Sequence, residues 1–239
     1  MARRGKRYEA AEKKIEPGRL YGAAEAMDLI SETVTVSFDP TVDLAVRLGV
    51  DPRKADQMLR GSVALPHGIG KETRVAVVAE GAKAEEAAAA GADVAGTEEV
   101  IALIEAGTLD FDAVIATPDQ MGKIGRYGKV LGPRGLMPNP KSGTVTMDVA
   151  QAVEEVKAGK VEYRTDRQGN VHLVLGKASF PARNLLENYQ TVLDELLRQR
   201  PAAAKGRYLR SVHVSTSQGP AIPIDPARTR EQEVAGASS

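Results

Sequence analysis

Cysteine and tryptophan are absent from the 239 residues, and only three Phe and six Tyr supply aromatic area. Without cysteine there are no disulfides and no thiolate metal centres, and a reducing compartment is the natural setting. With so few rings, any core must be built from Val, Leu, Ile and Ala; the apolar fraction of 42% is enough for that. No run approaches the ~18 consecutive apolar residues of a membrane helix, so no membrane partner is expected. The start, Met1-Ala-Arg-Arg-Gly-Lys-Arg7, is basic, but no apolar stretch follows it, so it does not read as a signal peptide.

Catalytic patterns are equally scarce. His67, His172 and His213 are far apart and lack metal-ligand spacing. Paired carboxylates such as Glu85-Glu86, Glu98-Glu99 and Glu154-Glu155 fall on helical stretches, where solvated faces explain them. The run Gly122-Lys-Ile-Gly-Arg-Tyr-Gly-Lys129 follows a strand-like segment, as phosphate loops do. It matches neither G-x-x-x-x-G-K-[ST] nor G-x-G-x-x-G, so a nucleotide site there is the minor reading. Neither an enzyme nor a cofactor is expected.

The zero net charge is a sum of unlike parts. Residues 68–159 hold 9 Lys/Arg against 14 Asp/Glu, and the rest of the chain holds 23 against 18. An acidic middle between basic flanks is compatible with a polyanion-facing part, and equally with ordinary surface variation. The middle reads as alternating strands and helices: Arg74–Ala79, Ala82–Ala90, Ala92–Ala95, Thr97–Ala106 and Phe111–Ala116, then a helix from about Met147 to Ala158. Short apolar strands separated by helices indicate a small parallel α/β unit.

The flanks follow a different rule. From Thr41 to Val50 the pattern alternates, with Val42, Leu44, Val46, Leu48 and Val50 on one face. That is a strand buried on one side only, in an antiparallel or mixed sheet. Asp51-Pro52 is expected to cap a short helix. Lys160–Arg164 and Val171–Leu175 are expected to pair as a hairpin around Asp166–Gly169. Pro181–Arg200 reads as an amphipathic helix with Leu185, Tyr189, Val192, Leu193, Leu196 and Leu197 inward. A strand from about Arg207 to Thr216 and a short last strand follow. The expected fold is a discontinuous α+β domain, residues 1–67 and 160–228, with an inserted α/β Rossmann-like three-layer domain at 68–159. Residues 229–239 are expected to be a disordered tail, and linkers near 67 and 159 a double hinge.

Between Val130 and Thr144, fifteen residues hold three Gly and three Pro together with Arg134 and Lys141. Such a stretch can be neither a regular helix nor a central strand, because Pro lacks the donor and Gly is entropically costly there. It predicts a stiff, basic loop, a surface for recognition. The N-terminal cations Arg3, Arg4, Lys6, Arg7, Lys13, Lys14 and Arg19 form an arm that either solubilises or binds phosphates. Arg164, Arg167, Lys177, Lys205, Arg207 and Arg210 surround the flanking sheet, close to the hydroxyls and glycine of Ser215-Thr-Ser-Gln-Gly219. That combination suits a sugar–phosphate surface as well as a polar strand end with a tight turn. Phe38, before Asp39-Pro40, is either core or a ring for stacking.

Over nearly its whole length the sequence resembles the large-subunit ribosomal protein L-one family. The resemblance is carried by Ser37-Phe-Asp-Pro-Thr-Val-Asp43, Leu65-Pro-His-Gly-Ile-Gly70, Ala116-Thr-Pro-Asp119 and the Gly/Pro loop from Leu131 to Val145. Val161-Glu-Tyr-Arg164, Gly176-Lys-Ala-Ser-Phe-Pro181, Ala204-Lys-Gly206 and the Ser-Thr-Ser-Gln-Gly-Pro run ending at Pro220 add to it. The resemblance implies a discontinuous domain bound to large-subunit rRNA in the mobile stalk of the large ribosomal subunit, assisting release of exit-site tRNA. It also implies repression of translation from the protein's own operon mRNA. The RNA-contacting set it implies is Phe38, Thr41, Arg164, Arg167, His172, Ser211, Thr216, Ser217, Gln218 and Gly219. Two positions depart from the family pattern: Gln218 stands where Met is usual, and Pro223 where a basic residue is common.

Overall fold

A computed structural model describes residues 5–227. Arg3 and Arg4 of the basic arm and the expected tail at 229–239 lie outside the described residues. In chain order the elements are α1 (Lys6–Glu12), α2 (Ala23–Glu32), β1 (Thr41–Leu48), β2 (Arg60–Ala64), β3 (Val75–Val78) and α3 (Ala82–Ala89). Next come β4 (Val94–Ala95), α4 (Thr97–Glu105), β5 (Ala113–Ala116), α5 (Met121–Ile124), α6 (Gly128–Leu131) and α7 (Val149–Lys157). The chain closes with β6 (Lys160–Arg164), β7 (Asn170–Lys177), α8 (Ala182–Arg198), β8 (Leu209–Thr216) and β9 (Ala221–Ile224). Two compact units result, one from residues up to Gly70 and from Tyr163 on, the other from Lys71–Glu162.

The first unit is built on an antiparallel sheet of order β7-β1-β8-β9. Alternation decides what it does with its two faces. Val42, Leu44, Val46 and Leu48 of β1, with Val171, Leu173 and Leu175 of β7 and Val212 and Val214 of β8, are buried. Helices α2 and α8 pack on that face, through Ala26, Met27 and Ile30 on the one and Leu185, Tyr189, Val192, Leu193 and Leu196 on the other. The alternate residues of β1, Thr41, Asp43, Ala45 and Arg47, lie on the other face and stay exposed or half-buried. Leu197, expected inward, is 38% exposed, on the outer side of α8.

Several local expectations are corrected. β6 and β7 are not a hairpin: β6 pairs with β2 and β7 with β1. Only the bridge Thr165↔Val171 survives beside the turn, because Thr165 is committed to the other ladder, its N–H donating to Leu59 O at 3.0 Å. Asp51 caps no α-helix; its carboxylate accepts from Arg53 N at 3.1 Å in a turn, and a single 3-10 turn, Ala55–Gln57, follows. Helices α1 and α2 and strand β2 had no sequence expectation. In the segment Leu65–Lys71, which reads as a linker, His67 and Gly68 are tied to α8. Asn188, fully buried, accepts from His67 N at 3.1 Å and donates to Gly68 O at 3.1 Å and Leu175 O at 2.7 Å. His67 Nε2 also meets Glu187 Oε2 at 2.5 Å.

The second unit has a parallel sheet of order β4-β3-β5 with helices on both faces. Val75, Val77 and Ile115 pack with Ala87 of α3 and Val149, Val153 and Val156 of α7. On the other side Ala76, Val78 and Val114 pack with Val100 and Ile104 of α4, Ile124 and Leu131. Gly96 is the N-cap of α4, and the buried Thr97 hydroxyl donates to Ala79 O at 3.3 Å. The Gly/Pro loop is fastened at its end. Asn139 Oδ1 accepts from Lys141 N at 2.8 Å, and Thr144 Oγ1 accepts from Asn139 N at 2.8 Å. Val145 then bridges Ala116 in parallel, blocking the outer edge of β5 against further strand pairing.

Candidate nucleic-acid interface

Register places the polar residues of the first unit's sheet in rows across its open face. Ala45 lies opposite His172 on one side and His213 on the other; Arg47 lies opposite Asn170 and Ser211; Asp43 lies opposite Val174 and Ser215. One end of this face is a corner knitted from three distant stretches. Ser217 N–H donates to Thr41 O at 3.0 Å, and Lys177 Nζ donates to Thr41 Oγ1 at 3.0 Å. Thr35 Oγ1 donates to Gln218 O at 3.1 Å, and Asp39 accepts from Ser179 N and Oγ at 3.1 and 2.7 Å. Phe38 stands in that corner 55% exposed.

The turn Thr216–Gly219 closes with Gly219 N–H donating to Thr216 O at 2.8 Å. Gln218, its third residue, has φ 62, the one non-glycine residue at positive φ among those described. A side chain there costs roughly 1 kcal/mol or more, and such strain concentrates at functional sites. Gly219 is fixed by space: a Cβ would sit 2.1 Å from Thr216 Oγ1.

About 20 Å along the sheet, counted from Thr41 to Arg47, the opposite end carries the other cations. Arg164 and Arg167 are exposed around a depression of about 450 Å³ that also takes in Pro52, Met58 and Asp166. Partial burial works to raise the Asp166 carboxyl, but donation from the N–H groups of Asn170 and Gln168, the Asn170 amide and His172 brings it down to about 2. Asp43 moves the other way, lifted by desolvation and only partly offset by His172 and Lys177.

The ten implied residues therefore fall into groups. Phe38, Thr41, Thr216, Ser217, Gln218 and Gly219 are together at the corner; Ser211, Arg164 and Arg167 lie toward the far end; His172 is on the face between them. Thr216 differs in kind. Its side chain is 4% exposed and alternates toward the core, with a buried hydroxyl that has no hydrogen-bond partner. Asp43, Arg47 and His213 share the face without having been singled out; the alternation of β1 signals the first two, whereas His213 needed the pairing of β1 with β8. The Gly122–Lys129 run is no phosphate loop. It is a chain of short helical turns in which Gly122, Gly125 and Gly128 have negative φ and open space where a Cβ would be. Among the described residues no three His, Asp or Glu side chains converge as a metal would need, and no helix is long and apolar enough to cross a membrane.

The first unit is an α+β platform, an antiparallel sheet with helices on one face and a hydrogen-bonded corner at one end. Comparison with known proteins gives the family. Residues 30–220 match the Ribosomal protein L1p/L10e family. The chain is 60% identical over 229 residues to the large ribosomal subunit protein uL1 of Thermobifida fusca, covering 96% of this chain and 97% of that one. It is 61% identical over 221 residues to the uL1 protein of Salinispora tropica, covering 92% and 93%. The protein belongs to the ribosomal protein L1p/L10e family, a family of ribosomal proteins and not of enzymes.

Proposed function

We propose that this protein is a structural constituent of the large ribosomal subunit whose first unit, a discontinuous domain, grips a folded region of large-subunit rRNA. The observation that carries this reading is the corner at which Thr41, Phe38 and the strained turn Thr216–Gly219 are locked together beside an open sheet face. Hydroxyls, exposed backbone and a ring on a rigid support suit a sugar–phosphate surface of fixed shape. Arg164 and Arg167 at the far end supply phosphate contacts. Thr216 acts by shaping the turn. Gln218 offers an amide where an apolar side chain would only pack.

The second unit meets the departing exit-site tRNA. It is acidic as a whole, yet from Gln120 to Met147 it holds Lys123, Arg126, Lys129, Arg134 and Lys141 and no Asp or Glu. Repression of the protein's own operon mRNA uses the same corner, because an mRNA folded like the rRNA site presents the same backbone. The protein works in the cytoplasm, on the ribosome. A gel shift with folded rRNA fragments tests the anchor. Phe38→Ala and Ser217→Ala should each weaken binding by roughly 1–3 kcal/mol, and wild-type affinity should fall steeply with salt. Binding that is indifferent to salt and to both substitutions would remove the proposal.

A further inference from the structure

Helix α1 adds something to the corner that its sequence position conceals. Between it and the segment Thr35–Phe38 lies a groove of about 400 Å³, walled by Arg7, Tyr8, Thr35, Phe38 and Gln218. We propose that this groove takes one unstacked nucleotide of the bound RNA, its base against the Phe38 and Tyr8 rings and its phosphate on Arg7. The inference rests on the RNA reading above and names the part of the RNA that this end of the platform selects.

Four observations point to that occupant. Phe38 is 55% exposed, the one exposed Phe or Tyr among the described residues, so its ring is open to stacking on a base. A second ring, Tyr8, lines the same groove, in a chain with only three Phe and six Tyr. Among the described residues that line the groove Arg7 is the charged one and none is a carboxylate, so the wall attracts an anion. Gln218 shapes the wall, at φ 62 with its carbonyl accepting from Thr35, and its side-chain amide offers both a donor and an acceptor to a base edge. The volume suits a single small ligand. One cation with two rings is the recognition chemistry of a single base, whereas a duplex backbone calls for a row of cations.

The test is a binding cycle with the full chain and a folded large-subunit rRNA fragment in which each unpaired nucleotide is replaced in turn by an abasic one. One position should cost wild type about tenfold or more in Kd. In Phe38→Leu and in Tyr8→Leu that loss should largely vanish, each variant having already lost a comparable factor on the intact RNA. Arg7→Gln should lower the salt slope by about one. A 2-aminopurine placed at the sensitive position should change its fluorescence on binding to wild type and not to Phe38→Leu. If wild type binds tightly and Ser217→Ala weakens it, while abasic scanning gives the same profile in wild type and the groove variants, the groove proposal is overturned and the RNA reading stands. If wild type binds no RNA, both fall. Should Tyr8→Leu melt abnormally, the cycle on Phe38→Leu and the Arg7→Gln slope decide alone.

Discussion

Along β1 of the first unit buried residues alternate with exposed or half-buried ones, whereas all four residues of β3 in the second unit are buried. Both strands bury Val side chains, but they solve burial in opposite ways. An antiparallel sheet can pack helices on one side and leave the other to a ligand; a parallel sheet, connected by crossover helices, is covered on both. Among the described residues the first unit thus leaves polar side chains on one face of its sheet, whereas the second covers both faces with helices and presents their outer sides and the loops. Where chemistry is available in this protein follows from strand direction before it follows from any side chain.

The largest effect that should expose the difference is on stability. Leu44→Ala in β1 should cost about 2–5 kcal/mol by chemical denaturation, while its neighbour Ala45→Ser should be nearly silent. In β5 the neighbours Val114 and Ile115 lie on opposite faces and are both buried, so Ala at either should be costly. A silent substitution at either one would mean that one side of the parallel sheet is not packed. Next in size is Gly219→Ala, where the new methyl group is forced against Thr216; roughly 1–3 kcal/mol of destabilisation is expected. Gln218→Gly should go the other way by about 0.5 kcal/mol, since it releases left-handed strain at the cost of chain entropy. Opposite signs at adjacent residues of one turn, read by thermal or urea melts, separate conformational strain from steric crowding.

Charge sharpens the same contrast. Arg164→Gln and Arg167→Gln should each reduce the salt slope of rRNA-fragment binding by about one, whereas Arg134→Gln with Lys141→Gln in the second unit should leave that slope unchanged. Equal slopes for both pairs would place the rRNA across both units and end the division of labour proposed here.

Much of this was legible because periodicity carries it. Strands β1, β3, β5 and β8 and helices α3, α7 and α8 fall where alternation, short apolar runs and helical stripes place them, and Gly91, Gly107 and Gly159 end their helices at positive φ. What stayed hidden depends on pairing between distant stretches. The sequence around Asp166–Gly169 carries every hairpin cue, yet β6 goes to β2 because Thr165 bonds to Leu59, more than a hundred residues away. The Val50–Leu65 region has no strong period, so β2 was missed. At the candidate site the turn Ser215–Gly219 and Phe38 could be picked out singly. Their meeting with Thr41 and Tyr8 could not, because nothing local encodes which strand end lies beside which. Thr216 shows the limit from the other side: its residue type suits a contact, and only the strand's phase reveals that it points inward.

The smallest expected effect is also the most local. Two carboxylates on the open side of the first sheet are displaced in opposite directions, Asp43 upward and Asp166 down to about 2. The unfolded chain titrates both near about 3.9. For Asp166 the depressed value means that its hydrogen bonds stabilise the fold above about pH 4, and that this contribution is lost as pH falls from there toward 2. Asp43 has the reverse sign. Its contribution is favourable while it is protonated below the unfolded value, and is lost as pH rises through its elevated folded value. Carboxyl chemical shifts followed by NMR should therefore show two midpoints on either side of the ordinary one. Asp166→Asn should flatten the acid limb of the stability curve, and Asp43→Asn should stabilise the protein at neutral pH relative to wild type. Coincident midpoints would mean that the turn beside His172 is open in solution, and the far end of the platform would then lack the rigidity that holds Arg164 and Arg167 in place.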